Sequence, residues 1–248
     1  MKFNVPGIVA CIVALSLAGC GDQGESDSVA TTAEGAWSGS TGSGRTLTAA
    51  VLSDGTYYFF YSVPGNINQI AGMIQGTGTS TEGRFSSSNA KDINAEGRGA
   101  LDATISANYD RHQSFSGTVT YVSGGEQSFN SSYNSAYDTT PATSSLAGFY
   151  AGQLGTTAGL QSTNITVAAD GGFAGSQSNG CTFTGSATPR TRGNVFDQRM
   201  TFGPAPCLFA GRTLTGVVMF DVSTLRLYIG APDSSRTNGV VYSGLRLG

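Results

Sequence analysis

The sequence predicts an all-β protein, built from antiparallel meanders that form two small β-barrel or barrel-like units in tandem. Three observations carry that prediction. Apolar and polar residues alternate with period two over short runs, glycine-containing turn signals separate the runs, and no amphipathic helical period emerges. Composition points the same way. Charged residues are only 12% of the chain and 36 of its 248 residues are glycine, so the polar surface must come from Ser, Thr, Asn and Gln. Ser, Thr and Gly are poor interior helix formers.

Residues 1–19 read as a signal peptide: Lys2 supplies one positive charge, and an apolar run follows from Ile8 to Leu17. About ten residues is too short for the roughly 20-residue helix that crosses a bilayer. The run ends in Leu17-Ala18-Gly19-Cys20, which resembles the lipobox of bacterial lipoproteins. That resemblance implies cleavage before Cys20, diacylglyceryl transfer to its thiol, and a further acyl chain, palmitate, on the new amino terminus. Several chains hold stably where one binds marginally, each buried methylene contributing about 0.8 kcal/mol. Gly21 rather than aspartate follows the cysteine, which in that family favours the outer membrane. The expected location is therefore the outer membrane, lipid-anchored, on its periplasmic or surface-exposed face. Residues 20–35 are the lipidated cysteine and a flexible tether, small and polar, with an end-to-end distance of roughly 20 Å.

The first β unit is expected over residues 36–137. An Asp54-Gly55 turn joins strand 45–52 to strand 56–61, since Asp-Gly between two apolar runs marks a hairpin whose central residues take positive φ. Further strands are expected over 69–76, 84–88, 100–109, 114–122 and 127–133. Alternation is clearest at Leu101, Ala103, Ile105, Ala107 and Tyr109, then at Phe115, Gly117, Val119 and Tyr121. A polar, Pro141-containing linker spans 138–146, and a second unit, 147–248, restarts the plan. Gly148-Phe149-Tyr150-Ala151-Gly152 echoes Gly35-Ala36-Trp37-Ser38-Gly39, and the stretch before Asp170-Gly171 echoes the one before Asp54-Gly55. Strands are expected over 181–185, 195–202, 213–220, 225–229 and 239–245, with a tight turn at Asn238-Gly239. Closure into barrels would remove exposed sheet edges; whether the halves close separately or share one barrel is open at this stage. The Gly-aromatic openings, Asp-Gly hairpins and lipid-anchored β repeats resemble the barrel lobes of transferrin-binding-protein-B-type surface lipoproteins. The resemblance implies a binding protein but supplies no ligand motif to carry over.

Of four cysteines, Cys11 leaves with the leader and Cys20 takes lipid. Cys181 and Cys207 remain, and in an oxidising compartment they are expected to pair. No further Cys or His lies near them to complete a metal site.

The chain has 13 Lys and Arg against 16 Asp and Glu, and the loss of Lys2 takes the formal net charge from −3 to −4. There is no basic footprint for nucleic acid. His112 is the one histidine, in Asp110-Arg111-His112-Gln113-Ser114; no Gly-x-Ser-x-Gly elbow exists, and a turn between strands is the expected role. Asp92-Ile93-Asn94-Ala95-Glu96-Gly97 resembles the start of a calcium loop, yet Ala103 stands where the bidentate glutamate belongs. Gly39 to Gly44 lacks the Gly-Lys-Ser/Thr ending of a phosphate cradle. No catalytic residue, metal or cofactor is assigned. Trp37, Tyr57, Tyr58, Phe59, Phe60 and Tyr61 are the candidate ligand-binding residues: in the 57–61 run alternate rings point to opposite faces, one set core and the other a candidate exposed stripe. The leading reading is a non-catalytic, lipid-anchored envelope lipoprotein presenting a β-rich domain to a partner or ligand. A structural envelope lipoprotein with no specific ligand is the second reading, and an enzyme of unrecognised type the third.

Overall fold

Period-two alternation becomes pleated strand along most of the chain in the computed structural model, which describes residues 1–3 and 32–247. The expected leader, Cys20 and most of the tether lie outside the described residues. The first meander comprises Gly35–Thr41 (β1), Thr46–Val51 (β2), Thr56–Val63 (β3), Asn66–Thr77 (β4), Thr79–Thr81 (β5), Arg84–Asn94 (β6), Gly99–Asp110 (β7), Ser114–Tyr121 (β8) and Glu126–Tyr133 (β9). Two short 3-10 turns, Ser135–Asp138 and Thr143–Leu146, occupy the linker. The second meander comprises Gly148–Thr156 (β10), Gly159–Val167 (β11), Gly172–Gln177 (β12), Thr182–Pro189 (β13), Phe196–Phe202 (β14), Thr213–Asp221 (β15), Arg226–Pro232 (β16) and Gly239–Leu247 (β17).

Each meander closes on itself, so the question left open by the sequence is answered by two eight-stranded antiparallel barrels. In the first, β1 pairs β9, and β4 pairs β6 through Gly72–Gln75 against Lys91–Asn94. The short β5 continues β4 beyond Gly78 and pairs the other end of β6, so it occupies the fourth staves' place. In the second, β10 pairs β17. Outward positions of β7, namely Asp102, Thr104, Ser106, Asn108 and Asp110, are polar and exposed. Such an outer face suits water, whereas membrane-spanning barrels turn an apolar band outward.

The repeated opening is structural as well as textual. Trp37 donates its Nε1–H to the Ala33 carbonyl at 3.0 Å, and Tyr150 donates its hydroxyl to the Leu146 carbonyl at 2.7 Å, each reaching four residues back. Gly39 and Gly152 sit where the first strand meets the last. A Cβ on either would lie 2.0 Å from a carbonyl oxygen of the closing strand, Asn130 or Ser243, so only glycine fits there. Ala33 is fully buried beneath Trp37, so the folded part begins inside the last residues expected of the tether.

The hairpins at Asp54-Gly55 and Asp170-Gly171 are both present and built alike, but only the glycine takes positive φ, +79° and +89°. The Gly amide bonds the carbonyl three residues back, and the Asp carboxylate accepts the amide two residues on, at 2.9 Å. That is a turn closed by a left-handed glycine rather than one with two left-handed residues. Asn238-Gly239 is not a tight turn either: residues 233–238 form a longer loop in which Asp233 accepts from Thr237 and Asn238 and Arg236 takes positive φ.

The first barrel is filled at one end by Trp37, Tyr57, Phe59, Phe85, Phe115 and Phe129, with the edge-on pairs of the last four 5.3–5.8 Å apart. The second holds one buried apolar cluster, and its β14–β15 loop, residues 203–212, folds Phe209 against Phe202. A Cys181–Cys207 disulfide with Cα atoms 4.6 Å apart staples that loop to the start of β13, as the two leftover thiols predicted. A third core lies between the barrels: Ala50, Tyr58, Phe60, Met73 and Ile93 pack against Val195, Val217, Met219, Tyr228 and Val241. Around it Arg226 donates to Asn68 at 2.6 Å, Arg236 to the Asn89 carbonyl at 2.7 Å, and Arg192 pairs with Glu34 at 2.7 Å.

Candidate functional site

The end of the first barrel opposite the ring cluster is open. A cavity of about 250 Å³ enters it between the β1–β2, β6–β7 and β8–β9 turns. Its floor is the inward face of the strands, Leu47, Phe59, Ile74, Val119 and Phe129, and its wall carries Tyr61, Asp92, Asn94 and Tyr121. Arg45, Arg98, Glu126 and Gln127 stand at the rim. An apolar hollow with a few convergent polar groups is the usual form of a small-molecule site, though this one lies below the roughly 300–1,000 Å³ typical of larger ligands.

Asp92 is the centre of the polar wall. It is 2% exposed, and its carboxylate accepts the Tyr61 hydroxyl at 2.5 Å on one oxygen and the Tyr121 hydroxyl at 2.9 Å on the other. Asn94 donates to the Tyr61 oxygen at 3.0 Å and, with its own carbonyl, accepts the Glu96 and Arg98 amides that shape the β6–β7 turn. Burial raises the Asp92 pKa above the ordinary carboxylate value, opposed by the two tyrosine bonds and then by Arg98 and Arg45. Burial likewise pushes the Tyr61 and Tyr121 hydroxyls far up, with Asp92 adding to the rise, so both remain donors. The guanidiniums are turned to other partners. Arg45 pairs with Glu96 at 2.8 Å and lies 5.3 Å over the Tyr61 ring, while Arg98 lies 5.9 Å over the Tyr121 ring.

Of the six aromatic residues singled out in the sequence, Phe59 and Tyr61 line this cavity. Trp37 and Tyr57 belong to the filled end. Neither set of alternate rings forms an exposed stripe: Tyr58 and Phe60, on the outer face of β3, are covered by the second barrel and buried in the core between the two. His112 sits in the β7–β8 turn with φ +57°, exposed and stacked 4.4 Å from the Tyr133 ring. The calcium-like stretch splits up: Asp92 points inward, Asn94 caps a turn, and Glu96 pairs with Arg45. Sequence reasoning missed Asp92 and Tyr121 as site residues. A polar residue at an inward position was the available signal, but a register shift between Ser87 and Ala90 moves inward parity from odd to even numbers in mid-strand.

A groove of about 390 Å³ also runs between the barrels, lined in part by Asp54, Tyr58, Arg190, Asp197 and Arg199. Its central charges satisfy one another, Arg190 bonding Asp197 at 2.5 Å and Asp54 at 3.4 Å.

No protein-family model and no curated protein matches this chain. Among solved structures it is similar to the isotype 1 transferrin binding protein B from serogroup B Neisseria meningitidis, at 11% identity and a TM-score of 0.29. The match covers 82% of this chain and 66% of that one. At that TM-score the resemblance carries no functional weight.

Proposed function

We propose that this chain is a lipid-anchored lipoprotein of the outer membrane, non-catalytic, whose tandem barrels present a small-ligand site in the mouth of the first barrel. The cavity itself carries the reading: one end of the barrel is packed solid with rings, while the other keeps an apolar-floored hollow walled by a buried carboxyl. Leaving such a hollow unfilled forgoes packing energy, which a bound molecule recovers. The disulfide supports export to an oxidising compartment, and the lipobox at Cys20 supports the anchor. Against catalysis stands the dispersal of acid-base groups, since His112 lies on an exposed turn and Asp92 is held by two tyrosines.

Two measurements test the proposal. Mass spectrometry of the mature amino terminus should find an acylated Cys20, and Cys20→Ser should leave the protein unprocessed or released; an unmodified cysteine overturns the anchor. For the site, NMR titration with a panel of small acids, bases and neutral compounds should find ligands that shift Tyr61, Tyr121 and Phe129. Val119→Phe, which fills the hollow, should abolish those shifts. If no compound of any charge binds in a way that Val119→Phe removes, the ligand-site reading is overturned.

A further inference from the structure

We propose that the cavity takes a small organic cation, a primary amine on a short apolar body, with its ammonium seated against Asp92. The inference rests on the barrel mouth being a ligand site. Asp92 is a buried carboxyl whose two partners are both neutral hydroxyl donors. No salt bridge joins it to Arg45 or Arg98 among the described residues, Arg45 being engaged by Glu96 and the Ser62 carbonyl. Buried charges are normally paired, and an ionised carboxylate has about four acceptor positions, so two remain after the tyrosines are counted. An ammonium supplies both the missing charge and N–H donors for those positions.

The surroundings favour a cation over the alternatives. Arg45 is neutralised by its pair with Glu96, which leaves Arg98 at the mouth with Asp92 and Glu126, one negative charge in excess when Asp92 is ionised. A carboxylate ligand would meet Asp92 as a like charge, and an alcohol would satisfy hydrogen bonds without the charge. Below the carboxyl, Leu47, Phe59, Ile74 and Phe129 offer only apolar contact, so the body attached to the amine must be apolar and small enough for about 250 Å³.

The test uses three probes of equal length, hexan-1-amine, hexan-1-ol and hexanoate, titrated calorimetrically into the mature lipidated chain in detergent. The Val119→Phe chain serves as the blank for partition into micelles. The amine should bind about tenfold or more tightly than the alcohol at neutral pH, and in Asp92→Asn the two should bind with equal affinity. Lowering the pH is a second route that needs no variant. Tyr61 from β3, Tyr121 from β8, Arg45, Glu96, Arg98 and Glu126 are the titratable and charged groups around Asp92, and protonating its carboxyl should erase the amine's advantage over the alcohol. Equal or tighter binding of the alcohol or hexanoate, or an amine preference that survives Asp92→Asn, overturns the assignment and leaves the ligand site standing. Binding by none of the three also overturns it, and the wider panel then decides the site itself.

Discussion

At Asp92 one side chain sets the polarity of a barrel mouth, and its bonds make a measurable difference to stability. Tyr61→Phe removes a hydrogen bond to a buried carboxylate and takes the acceptor from Asn94, which should cost about 1.5–3 kcal/mol in urea denaturation. Tyr121→Phe, at a half-buried position with a longer bond, should cost less. Because burial raises the Asp92 pKa, the folded chain holds that proton more tightly than the unfolded chain. The group's stabilising contribution is then full below the ordinary carboxylate pKa and lost as pH rises through the raised value. Asp92→Asn should accordingly melt above the parent at neutral pH, with the gap narrowing toward acid; a gap that widens toward acid would contradict the assignment. Asp92 was visible in the sequence only as the head of a stretch resembling the start of a calcium loop. Its inward direction depends on the register shift before Ala90, which no alternation pattern announces.

Among the elements, the turns and the staple were the most legible. Asp-Gly between apolar runs located both hairpins, since the carboxylate-to-amide bond and the left-handed glycine are local chemistry. The finer geometry, with Asp54 kept out of the left-handed region, follows from a three-residue loop, Ser53 to Gly55, closed by a left-handed glycine. The Cys181–Cys207 pair was also legible, by elimination. What it holds was not: it ties down residues 203–212, which cap the second barrel with Phe209. Cys181→Ser with Cys207→Ser releases a 26-residue separation, worth roughly 3–4 kcal/mol in the chain-entropy account. Denaturation of the double variant should show that loss, and hydrogen exchange should rise in residues 203–212 while the amides around Asp92 keep their protection. Equal protection throughout would mean that the loop is held by packing alone.

For the whole molecule, the core between the barrels outweighs the linker that joins them. Phe60 and Met73 are almost fully buried against the second barrel, and a large apolar face exposed on division invites association. Cleavage in the Pro141 segment should therefore leave both halves together on size exclusion, and each half expressed alone should aggregate or require co-expression of the other. Independent, soluble, folded halves would show the interface to be dispensable. Phe60→Ala should destabilise the chain by about 3–5 kcal/mol, a loss expected of core rather than of a surface ring.

The sequence by itself determined the all-β class, the tandem repeat, the hairpins and the cysteine pair, because each is written in local pattern: alternation of period two, Asp-Gly turns, a repeated Gly-aromatic-Gly opening, and thiols left without other use. Only the tertiary structure decided that the halves close separately, that the outer rings of β3 face the second barrel, and that Asp92 meets Tyr61 and Tyr121 across the mouth of the first. Those relations join residues about 30 to 170 positions apart, through strand register and barrel closure. Local alternation gives two faces to every strand, but which neighbour covers each face is settled by packing.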